Sequence, residues 1–272
     1  MNQLSRCKPY LGTYVEITLA GDCDERDLIR LSDAGFERIG QIQSLMNFHD
    51  ADSELSHINR EAANQPIRIS PPLDAVLRFA LQLSEDSAGL FDPTRSSQPC
   101  QRGGWQQIEL REQQIYFHQP VKIDLGGIAK GYAVDAAYEH IQQQAPAGAL
   151  QLVVNAGGDL RMSSWRDHSV GVRHPGNPAA LVELPMQGSA VATSASYYAE
   201  EGSVIIGDRP AKQNDSARSY SVFTDNCMTA DALTKIVYLA PQPTHLLAHY
   251  HACASVLAAD GTVAHYPDYQ CS

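Results

Sequence analysis

Between Val121 and Gln144 the chain reads as a strand, a two-glycine turn and a helix, and this unit constrains the fold more than any other stretch. Asp124 ends the strand, Gly126 and Gly127 turn the chain, and a helix starts near Ile128. Ile128, Tyr132 and Ala136 share one line of that helix, with Ala129, Ala133 and Ala137 beside them. Glycines at such a turn let backbone N–H groups approach an anion, and a helix N-terminus favours negative charge. Lys130 runs against the helix dipole in the first turn, so an external anion would account for its placement. The segment matches neither G-x-x-x-x-G-K-[ST] nor G-x-G-x-x-G. The plainer reading is a tight strand–helix turn with a solvated lysine.

The elements around this unit do not alternate regularly. Tyr14 to Leu19 alternates apolar and polar residues as a strand, ended by Gly21-Asp22. From Asp24 to Met46 the residues Leu28, Leu31, Phe36, Ile39, Ile42 and Leu45 have helical spacing, and Leu73 to Leu83 repeats it. Residues 95–104 read as a polar loop, followed by a hairpin of Gln107 to Leu110 and Gln114 to His118. Strands are expected at Leu150 to Val154, Val170 to Val172, Ala190 to Ala192 and Ser221 to Phe223, with a polar loop over 207–218. Ala230 to Leu239 reads as a helix and Ala254 to Val263 as an edge strand with its turn. Mixed elements without βαβ alternation or an internal repeat predict an α+β fold. No linker divides the chain, so residues 1–272 are expected to form one domain.

Composition narrows the function. Of 272 residues 43% are hydrophobic and 19% charged, as in globular proteins. A net charge of −11, from 31 acidic and 20 basic side chains, argues against a nucleic-acid surface while leaving room for a small phosphate-bearing ligand. The six cysteines include no C-x-x-C pair and imply no disulfide framework. No apolar run reaches the ~18 residues of a membrane helix. Met1 to Tyr10 is basic without an apolar core, unlike a signal peptide, so a cytoplasmic protein is expected.

Three further segments carry polar groups in suggestive places. Asn155-Ala156-Gly157-Gly158-Asp159-Leu160-Arg161 reads first as a hairpin turn. In Met228 to Lys235, with Thr229 as helix cap, Asp231 falls in the first turn and shares a face with Thr234 and Lys235. A carboxylate and a hydroxyl so placed suit a hard cation such as Mg²⁺; a capped helix with an Asp–Lys pair is the alternative. Met46 to Asn59 mixes an aromatic, acids and the histidines His49 and His57, which lack metal-ligand spacing.

Taken in order, these segments resemble the ApbE family of FAD:protein FMN transferases. Leu11-Gly12-Thr13 is similar to its M-G-T, and Met46 to Asn59 to M-S-x-Y-x-x-x-S-E-[LI]-S-x-x-N. Gly89 to Thr94 is similar to G-a-F-D-[IP]-T, Asp124 to Asp135 to D-L-G-G-I-A-K-G-y-a-v-D, and Gly157-Gly158-Asp159 to G-G-D. Ala192-Thr193-Ser194 is similar to A-T-S and Ala230 to Leu233 to A-D-A-L. The resemblance implies a T-fold-like domain of antiparallel strands and packed helices. It implies FAD contacts at Leu11, His49, Phe91, Asp92, Asp124, Lys130, Gly158 and Asp159, with His49 in the place of a flavin-stacking tyrosine. It implies Mg²⁺ on Asp231, Thr234 and the carbonyl of Gly127, with Asp231 and Lys130 as the catalytic pair.

The implied reaction moves FMN from FAD to a Thr (or Ser) hydroxyl of a flavoprotein and releases AMP. Phosphoryl transfer needs charge neutralisation and positioning, which a metal and a lysine supply. Exported relatives make a periplasmic location the alternative, and FAD hydrolysis or FAD binding without cleavage are the competing activities. Two departures stand out. Many relatives carry Thr four residues after the Asp, where this chain has Lys235, and a lysine can replace a cation's charge. The family's H-x-x-[DH]-P-R is reduced near Val204 to Pro210, where Arg209 alone remains for a phosphate or acceptor contact.

Overall fold

Alternation in the second strand sets the sheet that carries the site: Val15, Ile17 and Leu19 are fully buried while Tyr14 faces solvent. The computed structural model describes residues 1–94, 104–145, 150–195 and 217–267. Eight strands form one antiparallel sheet in the spatial order β1 (Asn2–Tyr10), β2 (Thr13–Gly21), β6 (Gln151–Ala156), β7 (Asp159–Met162), β10 (Ala190–Ala195), β11 (Arg218–Thr224), β12 (Cys253–Ala258) and β13 (Val263–Tyr266). A smaller sheet orders β3 (Ile67–Arg68), β5 (Gln114–Phe117) and β4 (Ile108–Arg111), and β8 (Ser169–His174) pairs with β9 (Asn177–Pro185). The architecture is the expected antiparallel α+β.

Three helices, α1 (Glu25–Met46), α4 (Ala129–Gln144) and α5 (Cys227–Leu239), cover one face of the large sheet. Leu28, Phe36 and Ile39 of α1 join Val134 and Ile141 of α4 and Ile17 and Val154 of the sheet in one core. Val191, Phe223 and Leu257 point the other way and pack under the β8–β9 hairpin with Val172 and Leu184. The helices α2 (Glu54–Glu61) and α3 (Pro71–Asp86) and the small sheet extend the core beside α5. Helices α1 and α2 start at side-chain caps: the side chains of Asp24 and Ser53 accept N–H bonds from Asp27 and Ser56. No helix among the described residues is long and apolar enough to cross a membrane.

Several sequence expectations are corrected. Val121 to Asp124 joins no sheet, because its backbone bonds go elsewhere. The Asn59 carboxamide donates to the Ile123 carbonyl at 2.9 Å and accepts the Ile123 N–H at 2.8 Å, and Asp124 N–H donates to the Pro93 carbonyl at 2.7 Å. Asn2–Tyr10, for which no element was expected, is the edge strand β1. Its Arg6 and Lys8 reach Asp33 and lie 5.8 and 4.7 Å from the Phe36 ring centre, so their stems and charges pack the strand against α1. The edge at the other end is β13, with β12 paired on both sides. The buried stripe of α4 runs through Ala133, Val134, Ala137, Tyr138 and Ile141, because this helix is covered by both α1 and α5. The cap of α5 is Asn226, whose side chain accepts the Thr229 N–H at 2.9 Å; Asp231 therefore lies past the first turn.

Candidate functional site

The site forms where α4 and α5 cross. Gly131 makes the crossing possible: a Cβ there would stand 2.4 Å from the Cys227 carbonyl oxygen and 2.9 Å from Asp231 Cβ. At this distance the Gly131 N–H, an orphan donor in the first turn of α4, donates to Asp231 Oδ2 at 3.1 Å. One helical turn on, Asp135 accepts the Cys227 and Met228 N–H groups, both at 2.8 Å, and so caps α5 from a neighbouring helix. Arg161 of β7 completes the contact at 2.9 Å from Asp135. Burial raises the Asp135 pKa, even though Arg161 and the two N–H groups favour the charged form.

Four charged side chains meet beside this crossing. The Lys130 ammonium pairs with Asp159, at the start of β7, and the Lys235 ammonium pairs with Asp231. Lys235 Nζ also donates to the Asp231 carbonyl oxygen at 2.9 Å. Both carboxylates are buried, whereas the Lys130 side chain is 29% exposed. Burial and the neighbouring Asp231 charge push Asp159 up to about 6, against the pull of the two lysines. For Asp231 burial acts upward too, but Lys235, Lys130 and the Gly131 N–H outweigh it and hold the carboxyl below its ordinary range. Burial alone would lower the Lys130 pKa; Asp159 and Asp231 hold it above the lysine range.

These pairs revise the first expectation drawn from Lys130. The cation at a helix N-terminus is explained by internal carboxylates: Asp159 neutralises the lysine and Asp231 takes the helix N–H. No external anion is required to place it.

Lys130 forms part of the wall of a cleft of about 650 Å³. Leu11, His49 and Asp124 of the expected FAD residues line the same cleft, with Phe48, Gln43 and Gly126 between them. Leu11 has a left-handed backbone, φ 56°, at the β1–β2 turn, and its N–H donates to Gln43 Oε1 at 2.6 Å. Exposed His49 sits edge-on to Phe48, with ring centres 5.4 Å apart. Asp124 closes a local turn by accepting the Gly126 N–H at 2.8 Å. Phe91 is buried behind Gly127, and Asp92 Oδ1 is occupied by Thr94 through N–H and hydroxyl bonds of 2.9 and 2.6 Å. Gly157 and Gly158 take left-handed conformations, φ 62° and 105°, and turn the β6–β7 hairpin so that Asp159 points inward. Arg209 lies outside the described residues.

Sequence reasoning missed Gln43, Asp135 and Arg161 as site builders. Gln43 is a polar residue beside the apolar stripe of α1 at Ile39, Ile42 and Met46, which was its only visible signal. The partners of Asp135 are separated from it by 26, 92 and 93 residues, and no local pattern announces them.

The expected magnesium ligands do not form an open set of oxygens. Asp231 Oδ1 and its carbonyl face the Lys235 ammonium, and Oδ2 is held by Gly131. The fully buried Thr234 hydroxyl donates to the Asp231 carbonyl at 2.7 Å and pairs with Ser194 Oγ at 2.8 Å. Magnesium demands a near-octahedral oxygen shell at ~2.1 Å, which this donor set does not fit. Among the described residues no group of three or more His, Cys, Asp or Glu side chains is placed to hold a metal.

A family model described as the ApbE family matches residues 11–100 and 95–256. The chain belongs to the ApbE family. It is 29% identical over 238 residues to the FAD:protein FMN transferase of Chlamydia pneumoniae, covering 72% of each chain. To that of Vibrio cholerae it is 25% identical over 233 residues, covering 71% of this chain and 68% of the relative. The crystal structure of the ApbE protein from Thermotoga maritima superposes with a TM-score of 0.78 at 22% identity, over 98% of this chain and 97% of that one. ApbE membership accounts for the antiparallel sheet and for the order of the motifs around the cleft.

Proposed function

We propose that this chain is an FAD:protein FMN transferase, moving FMN from FAD to a Thr (or Ser) hydroxyl of an acceptor flavoprotein with release of AMP. Family membership and the names of its relatives support the transferase activity. The observation that carries the reading within this molecule is the cleft itself: expected FAD contacts at Leu11, His49, Asp124 and Lys130, scattered over 120 residues, line one wall system. A cavity of this size with apolar walls and a few polar groups, Asp124 and Lys130 among them, suits a cofactor-sized ligand.

In the reaction the acceptor oxygen bonds to the flavin-side phosphorus, the P–O bond to the adenylate phosphate breaks, and the hydroxyl proton is released. Lys130 is the basic group on the cleft wall; paired with Asp159 yet partly exposed, it is assigned to donate N–H bonds to the phosphate oxygens as charge develops. Asp231 holds its proton weakly, so it acts as a fixed anion that orients Lys235 more readily than as a proton acceptor. Phe91, Asp92, Gly158 and Asp159 are assigned to shaping the pocket from behind these groups.

The test is to incubate the protein with FAD and an acceptor flavoprotein and weigh the acceptor by mass spectrometry. The expected result is a mass gain of one FMN less one water, with one AMP released per modified acceptor. Release of AMP and free FMN with an unmodified acceptor would replace transfer by hydrolysis.

A further inference from the structure

We infer that Lys235 is a built-in counter-cation for the FAD diphosphate, standing at Asp231 in place of the divalent ion that the family implies, so that FAD binds this chain without a metal. The identity of the ligand rests on the FMN-transfer reading; the role of the lysine rests on the geometry of the α4–α5 crossing.

Three features carry it. First, the ammonium occupies the two Asp231 oxygens most suited to a cation, the carboxylate Oδ1 and the main-chain carbonyl. A divalent ion at these atoms would have to expel it, and of the other buried carboxylates Asp159 is held by Lys130 and Asp135 by Arg161 and the α5 N–H groups. Second, the lysine stem is seated rather than swinging free. Its side chain is 12% exposed, and a Cβ on Gly127 would lie 3.4 Å from Lys235 Cε and 3.7 Å from Phe91 Cε2. The Lys235 stem therefore packs alongside Gly127 and Phe91. Third, the charges close. Lys130 and Lys235 offset Asp159 and Asp231, so the diphosphate would meet ammonium N–H groups and no uncompensated carboxylate. An ammonium has three N–H donors, and Asp231 uses two, leaving one for a phosphate oxygen. Gly126 and Lys130, on the same turn as Gly127, line the cleft from which the diphosphate would approach.

The experiment is calorimetric titration of FAD into the full chain, first in metal-stripped buffer with EDTA and then with excess Mg²⁺. The wild-type Kd should change by less than about twofold between the two, while Lys235→Thr should lose about tenfold or more in EDTA, the effect of one lost charge-assisted bond, and recover with Mg²⁺. Lys235→Arg should keep EDTA-insensitive binding. A tenfold loss of wild-type affinity in EDTA overturns the proposal, and so does a folded Lys235→Thr variant that binds FAD as tightly as wild type in EDTA. The wild-type comparison stands even where the variant fails to fold. EDTA-insensitive FAD binding without acceptor modification removes the transfer reading and leaves the role of Lys235 intact; no FAD binding in either buffer removes both.

Discussion

Replacing Gly131 by alanine tests the crossing on which the whole site depends. Alanine favours a helix over glycine by ~1 kcal/mol, so propensity alone predicts a more stable protein. The structure predicts the reverse. The new Cβ would lie 2.4 Å from the Cys227 carbonyl oxygen and 2.7 Å from its carbon, both backbone atoms that cannot rotate away. Restoring ordinary contact requires the start of α5 to retreat by roughly 1 Å, a shift that packed helices resist. The bonds from Cys227 and Met228 to Asp135, now 2.8 Å, and the 3.1 Å bond from Gly131 to Asp231 stretch with it. Bonds to charged groups contribute ~1.5–3 kcal/mol each, so weakening three of them outweighs the propensity gain and leaves a net loss of ~2–3 kcal/mol.

For a chain of 272 residues the unfolding entropy is ~0.6 kcal/mol/K, which turns that loss into a Tm lowered by ~4 °C. Gly35→Ala is the internal control. Gly35 is also helical, and its Cβ would also meet close atoms, Ile141 Cδ1 at 2.6 Å and Ile17 Cδ1 at 2.8 Å. Those atoms end flexible side chains, so the variant should fall within ~1 kcal/mol of wild type. Differential scanning calorimetry of the three proteins reads both effects. A Gly131→Ala protein that melts at or above the wild-type temperature, or below which Gly35→Ala falls, refutes the argument from the crossing.

Two other perturbations probe the buried charges. Asp159 has its pKa raised from 3.8 to about 6 on folding. Between those values the folded chain keeps a proton that the unfolded chain has lost, so this group's contribution to stability falls as pH rises from about 4 to 6 and is level above. Urea unfolding of wild type and Asp159→Asn at pH 4 to 7 should show the wild-type advantage shrinking by on the order of 3 kcal/mol over that window; an advantage that grows with pH would mean that Lys130 dominates the carboxylate. Asp135→Asn leaves Arg161 with only Glu139, at 3.0 Å and largely exposed, and weakens the cap on α5. Breaking a buried pair from one side costs ~3–5 kcal/mol, so its thermal transition should drop by roughly 5–10 °C, and a drop under 2 °C would show the cap to be replaceable.

Much of this molecule is legible along the chain, because periodicity and turn chemistry are local. The alternation of Tyr14 to Leu19, the helical spacing of Leu28 to Ile42, and the glycines that turn Asn155 to Asp159 each depend on residues a few positions apart. The ordered motifs around Asp124, Asp159 and Asp231 likewise announce the family. Local reasoning fails where a distant group supplies the missing partner. Val121 to Asp124 is extended yet outside any sheet, since its partner is the side chain of Asn59. The polar strand β1 is held by Phe36 and Asp33 across the helix–sheet interface. Lys130 next to two glycines suggests an anion, but only folding decides that the nearest anions are Asp159 and Asp231, carried there by a hairpin and a second helix. Lys235, four residues after Asp231, is visible in the sequence as a departure from the family pattern; that its ammonium takes the cation's place is decided by its pairing with the buried Asp231 carboxylate and by the close crossing that Gly131 allows. Electrostatics depends on three-dimensional distance and burial, so the charge state of this cluster belongs to the tertiary structure.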